Sequence, residues 1–318
     1  LACQVYVESE LEVEIPESLN DANYKFLTDD GVAEFEIDDH LKKIYVELEP
    51  ADIHHPIDDL NNLKNYLFKN PADVTFSIPL FILQNLSTFL RKNNYKITFV
   101  LSENRLINLE PGQTTERLYG LAFDLGTTTI AGSLIDMKTG KNLAVGSRTN
   151  PQSIHGADVI SRVNYSANEA GGLSKLQKMV VETFNEIIEE LTEKAGVSFR
   201  EIYEMTVAGN TIMNHIFVGA NPQYIGESPY IPTFLEPQTF TAEELGLTLL
   251  PNMPVMILPN ISGYIGGDIS GFILSSNLHK TDNVTLGIDV GTNGEIVLGS
   301  KQKLVCCSAA AGPAFEGG

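Results

Sequence analysis

One short pattern is written twice in this chain. Leu121-Ala-Phe-Asp-Leu-Gly-Thr-Thr-Thr-Ile130 and Leu286-Gly-Ile-Asp-Val-Gly-Thr-Asn-Gly-Glu-Ile-Val-Leu298 share one build. Each reads as an apolar strand ending in Asp, a polar turn hinged on glycine, and a second apolar strand. A single hairpin of this kind says little about function. Two at equivalent places in successive units imply a duplicated architecture, and the elements between them set its class.

Tyr119 to Ile135 reads as two strands around Gly126-Thr-Thr-Thr129, and Lys138-Thr-Gly-Lys141 turns into a third over residues 142–147. A long helix follows, with Leu173, Leu176, Val180, Phe184, Ile187, Ile188 and Leu191 on one apolar stripe. Ser174 with Gln177 predicts a capping box at its start, and Gly196 a stop. Tyr203 to Ala208 is a strand running into a helix over 211–217, Pro254 to Leu258 another strand, and Asp268 to Asn277 a helix. A fresh hairpin begins at Val284, and Lys303 to Cys307 is a further strand. The order β-β-β-α-β-α-β-α, then β-β-β, predicts one complete three-layer α/β unit and the opening strands of a second.

The upstream third has a different texture. Residues 1–20 are acidic and extended, with Val5, Val7, Leu11, Val13 and Ile15 alternating with polar residues. Residues 21–114 predict a small α+β unit. Phe35, Ile37, Ile44, Val46 and Leu48 alternate as in strands; Leu60, Leu63, Tyr66 and Leu67 have helical spacing. Pro79 opens a second helix with Phe81, Leu83, Leu86, Phe89 and Leu90 inward, Tyr95 to Leu101 is a strand, and Pro111-Gly112 closes the unit. No constellation in this unit carries chemistry, so packing or docking is its expected role. The chain thus divides into 1–20, 21–114, 115–282 and 283–318.

Over 318 residues, 43% hydrophobic content supports a globular core, and a formal net charge of −20 argues against nucleic acid or an anionic membrane surface as partner. No apolar run is long enough to span a bilayer. There is no start Met or signal pattern, and both ends read as cut, so a piece of a longer protein is expected. Three cysteines make no disulfide framework. Cys306 and Cys307 are neighbours on a strand and point to opposite faces; a reducing cytoplasm fits.

The paired turns carry the chemistry. Glycine lets phosphate oxygens approach exposed backbone N–H groups at Gly126, Thr127, Thr128 and Thr129, and again at Gly291, Thr292, Asn293 and Gly294. Asp124 and Asp289, at strand ends beside the turns, are placed to hold Mg²⁺ through its waters. Facing turns would clamp a polyphosphate from two sides. Glu295, polar within an apolar strand, reads as a site-facing carboxylate. Gly209-Asn210-Thr211 lies where a strand becomes a helix and reads equally as phosphate contact or plain cap. Gly266-Gly267-Asp268 reads first as cap and close packing. Asp158 and Arg162 stand one helical turn apart, either as a simple pair or with Asp158 orienting a catalytic water. His155 reads as a loop histidine. Neither a Gly-x-x-x-x-Gly-Lys-Ser/Thr loop nor a strand-linked Gly-x-Gly-x-x-Gly is present.

The duplicated hairpins resemble the two phosphate motifs of the actin, sugar-kinase and heat-shock-chaperone ATPase superfamily, whose unit is ribonuclease-H-like. Seven strings narrow the resemblance. They are Thr115-Glu-Arg-Leu-Tyr-Gly-Leu-Ala-Phe-Asp-Leu-Gly-Thr-Thr-Thr129, Asn150-Pro-Gln152, Gly156-Ala-Asp-Val-Ile-Ser-Arg162, Val207-Ala-Gly-Asn-Thr211, Pro259-Asn-Ile-Ser-Gly263, Asp289-Val-Gly-Thr-Asn-Gly-Glu-Ile-Val-Leu-Gly299 and Ala310-Ala-Gly-Pro-Ala-Phe-Glu-Gly317. Together they are similar to the reductive activators of corrinoid proteins, in which a plant-type ferredoxin domain is joined through a linker and middle domain to an ATPase domain. The resemblance implies ATP and Mg²⁺ as cofactors and a corrinoid protein as partner, reduced from cobalt(II) to cobalt(I). It implies electrons from an upstream 2Fe–2S cluster, with Cys3 as that cluster's last ligand and the other three before Leu1. It leaves a homodimer open. Three alternatives stand beside it: an ATPase activator of a dehydratase or reductase, a small-molecule kinase with Asp158 as base, and a non-catalytic assembly module.

Overall fold

In the computed structural model, which describes residues 37, 40–68, 76–102, 104–156, 158–291 and 293–310, three β-sheets follow one another along the chain. The segment 1–20, Cys3 and the Ala310–Gly317 string beyond Ala310 lie outside these residues, as does Thr292.

The first sheet is antiparallel, in the order β1 (Leu41–Glu47), β2 (Lys96–Ser102), β3 (Arg105–Pro111), with helices α1 (Asp59–Leu67) and α2 (Leu80–Lys92) on one face. β2 is buried at nearly every position because it is covered twice. Ile97, Phe99 and Leu101 pack with Leu63, Leu86 and Leu90, whereas Val100 turns the other way, onto Leu118 and Tyr203 of the following unit. Strand β3 was not anticipated from the sequence. In α2 the inward stripe is Ile82, Leu86 and Leu90; Phe81 and Leu83 are exposed, against expectation. The run Leu80-Phe-Ile-Leu83 is apolar all round, so the sequence alone cannot choose its inner face.

The second sheet has six strands in the order β6-β5-β4-β7-β9-β8. β4 (Tyr119–Leu125), β5 (Thr129–Asp136) and β6 (Lys141–Thr149) form an antiparallel meander. Helices α3 (Val159–Asn168) and α4 (Gly172–Ala195) then carry the chain across the face to β7 (Ile202–Gly209), which pairs parallel with β4. After α5 (Thr211–Val218) come β8 (Gln238–Thr241), the short α6 (Ala242–Leu245) and β9 (Pro254–Ile257), parallel to β7. The predicted stripe of α4 is buried as Leu176, Val180, Phe184, Ile187, Ile188 and Leu191, and Phe184 stacks on Phe123 of β4 at 4.4 Å. Gly196 ends α4 in the left-handed conformation, as expected. Its start differs from the reading above. Gly171 caps it, at φ 72, with no side-chain bond. The turn from α3 demands a left-handed residue there, and Gln177 spends its amide on the carbonyl of Phe217 in α5, 3.1 Å away.

Helix α7 (Gly267–Ser275) leads to the third sheet, β10 (Thr285–Val290), β11 (Asn293–Ser300) and β12 (Lys303–Ala310). Val297 packs with Ile265, Ile269 and Leu278 on one side. On the other, Leu286, Ile288, Val290, Leu298 and Val305 are exposed.

Candidate active site

Parallel pairing of β4, β7 and β9 sends three strands out at the same edge of the sheet, where Leu125 stands beside Gly209 and Val207 beside Ile257. Helices α5 and α7 begin there, so their unpaired N–H groups point toward one crevice. A cleft of about 220 Å³ lies at this edge, lined by Asp124, Gly126, Thr127, Thr128, Thr129, Asn210, Asp268, Asp289, Gly291, Asn293 and Glu295. The two Asp-Gly-Thr hairpins therefore face each other across one space. Asp289 and Glu295 are cross-strand partners in β10 and β11 and share a face of the third sheet.

The first turn is held tightly. A Cβ on Gly126 would lie 2.4 Å from the carbonyl oxygen of Thr129, so only glycine fits. Asn210 caps α5 by accepting from the Met213 N–H at 2.9 Å, and its amide donates to Thr127 Oγ1 at 3.0 Å. Gly209 and Thr211 lie behind it and do not line the cleft; the Thr211 hydroxyl donates to the carbonyl of Ser262 at 2.6 Å. Gly294, opposite Val290 in the hairpin, is likewise outside the lining.

Asp268 completes the cleft. Sequence reasoning took it for a cap. The signal that would have found it is positional: it opens the helix that follows a strand parallel to β4, at the edge where Asp124 sits. A Cβ on Gly266 would meet Asn210 Cα at 2.4 Å, so that glycine lets α7 lie directly against the Asn210 turn and delivers Asp268 beside Asp124. The Asp268 Oδ1 atom accepts from the Ile269 N–H at 2.7 Å.

Four acidic side chains and no lysine, arginine or histidine line this cleft among the described residues. Asp124 is open to solvent through the mouth, yet protein crowds it on its other sides. That desolvation, with the charges of Asp268 and Asp289, pushes its carboxyl up to about 6. Desolvation does the same to Asp268, also to about 6, with Asp289 adding to it. Burial also raises Asp289 and Glu295; the Ser308 hydroxyl, 3.0 Å from Glu295, opposes the shift there. Such a set would repel a phosphate chain unless a divalent cation came between them, and it fits a hydrated Mg²⁺. No cluster of three or more His, Cys, Asp or Glu among the described residues closes into a direct cage.

Asp158 is elsewhere. It caps α3, accepting from the Ser161 N–H at 2.9 Å and the Ser161 hydroxyl at 2.8 Å, and does not line the cleft. Its expected partner Arg162 turns inward instead. His155 stacks on Tyr165 at 4.1 Å.

Residues 119–281 match the family described as RACo middle region, 31–116 the RACo linker region, and 283–318 the C-terminal domain of RACo, the ASKHA domain. The chain belongs to the RACo family, the reductive activators of corrinoid proteins. Its fold is accordingly that of the sugar-kinase and actin-like ATPase superfamily. It is 35% identical over 219 residues to the corrinoid activation enzyme RamQ of Eubacterium limosum, covering 69% of this chain and 37% of that protein. To the [Co(II) methylated amine-specific corrinoid protein] reductase of Methanosarcina barkeri it is 26% identical over 209 residues, covering 63% and 37%. A solved reductive activator for corrinoid, iron-sulfur protein superposes with a TM-score of 0.80 at 38% identity, over 89% of this chain and 46% of that one. The chain thus spans less than half the length of each of these relatives. The small α+β unit therefore falls in what this family's models describe as the linker region.

Proposed function

We propose that the cleft holds the phosphate chain of Mg-ATP, and that the protein to which this chain belongs couples ATP hydrolysis to reduction of a cobalt(II) corrinoid on a partner protein. The observation that carries this reading is the convergence of both Asp-Gly-Thr turns on one carboxylate-lined cleft. The activities of the relatives, corrinoid activation and reduction of a Co(II) corrinoid protein, supply the partner class.

Asp124, Asp268 and Asp289 would hold Mg²⁺ through its water shell, and the ion when bound supplies neutralising charge to the phosphates. The N–H groups of the 126–129 turn and the side chains of Thr127, Thr128 and Asn293 would hydrogen-bond phosphate oxygens. Asp268, whose carboxyl is fixed at the N-terminus of α7, would take a proton from a water attacking the terminal phosphorus. Electrons would come from an iron–sulfur domain, with Cys3 among the cluster ligands. Binding and release of the nucleotide would favour different conformations of the complex with the corrinoid protein.

The test uses the full-length protein and a corrinoid protein of the same organism. Phosphate release and the cobalt(I) absorption band are followed with Mg-ATP, with ATP plus EDTA, and with no nucleotide. Both signals should require Mg-ATP, and Asp268→Asn should lower phosphate release about 100-fold. Cobalt(I) formation at full rate without nucleotide would overturn the coupling.

A further inference from the structure

Arg162 is the largest fully buried side chain of the described residues. Burying a guanidinium is costly unless its donors are satisfied, and here no carboxylate among the described residues accepts from it. Its Nη2 donates to the carbonyl of Thr127 at 2.5 Å and its Nε to the carbonyl of Gly156 at 3.1 Å. Nη1 reaches Gln152 Oε1 at 3.0 Å and Met213 Sδ at 3.2 Å. Asp158, the nearest acid on the same helix, is committed to Ser161. Desolvation holds the guanidinium pKa down at about 10, still charged at neutral pH.

The neighbours extend the pattern. Asn150 and Gln152 are fully buried too. The Asn150 amide donates to the carbonyl of Gly126 at 2.9 Å, and its backbone N–H to that of Thr128 at 2.7 Å. Gln152 donates to the Leu176 carbonyl in α4 at 2.8 Å, and its N–H to Asn150 Oδ1 at 3.1 Å, so the unit is braced against the core. Three successive carbonyls, of Gly126, Thr127 and Thr128, are thus fastened on the side away from the cleft. In a trans peptide the C=O and the following N–H point in opposite directions. Fastening those carbonyls therefore turns the amides of Thr127, Thr128 and Thr129 toward the cleft that these residues line.

We propose that Arg162, braced by Gln152 and Asn150, is a positioning residue for anion binding: it presents the amides of the first turn and sets a buried positive charge behind them. This rests on the nucleotide reading above. It adds a second source of positive charge to the divalent cation that the four carboxylates call for: among the described residues the only charged ones lining the cleft are acids, and the guanidinium lies one layer below them. It also explains the otherwise unfavourable burial of a guanidinium that no carboxylate among the described residues accepts from.

The test measures binding of Mg-ATP and of adenosine by calorimetry on the full-length protein, with thermal melting as the control for folding. In Arg162→Met, Mg-ATP affinity should fall about tenfold, the size of one lost charge-assisted hydrogen bond, with adenosine affinity unchanged. Gln152→Glu guards against a variant that merely misfolds. It keeps an acceptor for Arg162 and gives the guanidinium an ionic partner, in exchange for the donor to the Leu176 carbonyl. A purely structural Arg162 predicts a variant that still melts cooperatively with Mg-ATP affinity unchanged. The positioning role predicts a cooperative melt with Mg-ATP affinity lowered about tenfold, because the charge behind the loop is neutralised. Unchanged Mg-ATP affinity in either folded variant, with wild type binding Mg-ATP, overturns the proposal alone. A wild type that binds no Mg-ATP overturns it together with the nucleotide reading.

Discussion

At the scale of single residues, the cleft is a store of unfavourable charge. Asp268 titrates near 6 in the folded chain, against about 3.9 for an unfolded aspartate. Between those values the folded chain holds a proton that the unfolded chain has released. Stability therefore falls as pH rises through that window and levels off above about 6. In EDTA, Asp268→Asn should raise the melting temperature at pH 7.5, by the equivalent of about 1–2 kcal/mol once water on the open side of the cleft is allowed for. The gain should shrink toward zero at pH 4. A gain that is the same at both pH values would mean that Asp268 is not desolvated in the way described. The placing of Asp124 and Asp289 at one cleft was readable from sequence because each sits in a hairpin whose strand and turn signals are local. That of Asp268 was not: nothing within Gly266-Gly267-Asp268 says which strand the preceding one will pair with. Arg162 was read as the ion-pair partner of Asp158 for the same reason. Helical spacing puts two side chains within reach, but burial against Thr127 and Gln152 decides where the guanidinium goes.

At the scale of elements, periodicity served where one face of a helix is apolar and failed where all of it is. The stripe of α4 could be read outright because charged residues fill the opposite face, as at Glu182, Glu186 and Glu189. The first turn of α2 offers four consecutive large apolar residues, and only the tertiary fold selects Ile82. Truncating Ile82 to Ala should cost about 2–4 kcal/mol in urea unfolding, whereas Phe81→Ala, on the exposed face, should cost under about 1 kcal/mol. Equal costs would put the helix in the wrong rotation. The capping box at Ser174 failed in a related way. The sequence offered a good local solution, and the α3–α4 turn, ending at Gly171, started the helix before it could be used.

At the scale of the molecule, the small α+β unit is fastened to the six-stranded sheet by a buried polar clamp. Lys43 of β1 lies 2.7 Å from Glu110 of β3, with only 2% and 10% of their side chains exposed. Glu110 also accepts from the hydroxyls of Thr114 and of Tyr203, the latter on β7. The Lys43 ammonium stands 4.8 Å over the Tyr203 ring, and desolvation by burial lowers its pKa. Around these groups Leu41, Val100, Ile107 and Leu118 exclude water. Lys43→Met leaves the Glu110 carboxylate buried without its cation, which costs about 3–5 kcal/mol for a pair so enclosed. Adding Glu110→Gln should recover most of that loss, because no unpaired charge remains: the amide oxygen accepts from one of the two hydroxyls and the amide nitrogen donates to the oxygen of the other. The experiment is urea unfolding of the single and double variants, read both by tyrosine fluorescence and by far-ultraviolet circular dichroism. If the clamp joins the two units, wild type unfolds in one transition and Lys43→Met splits it in two, with the α+β unit first. A single shared transition in Lys43→Met, shifted by less than about 1 kcal/mol, would show that the apolar contacts alone hold the units together.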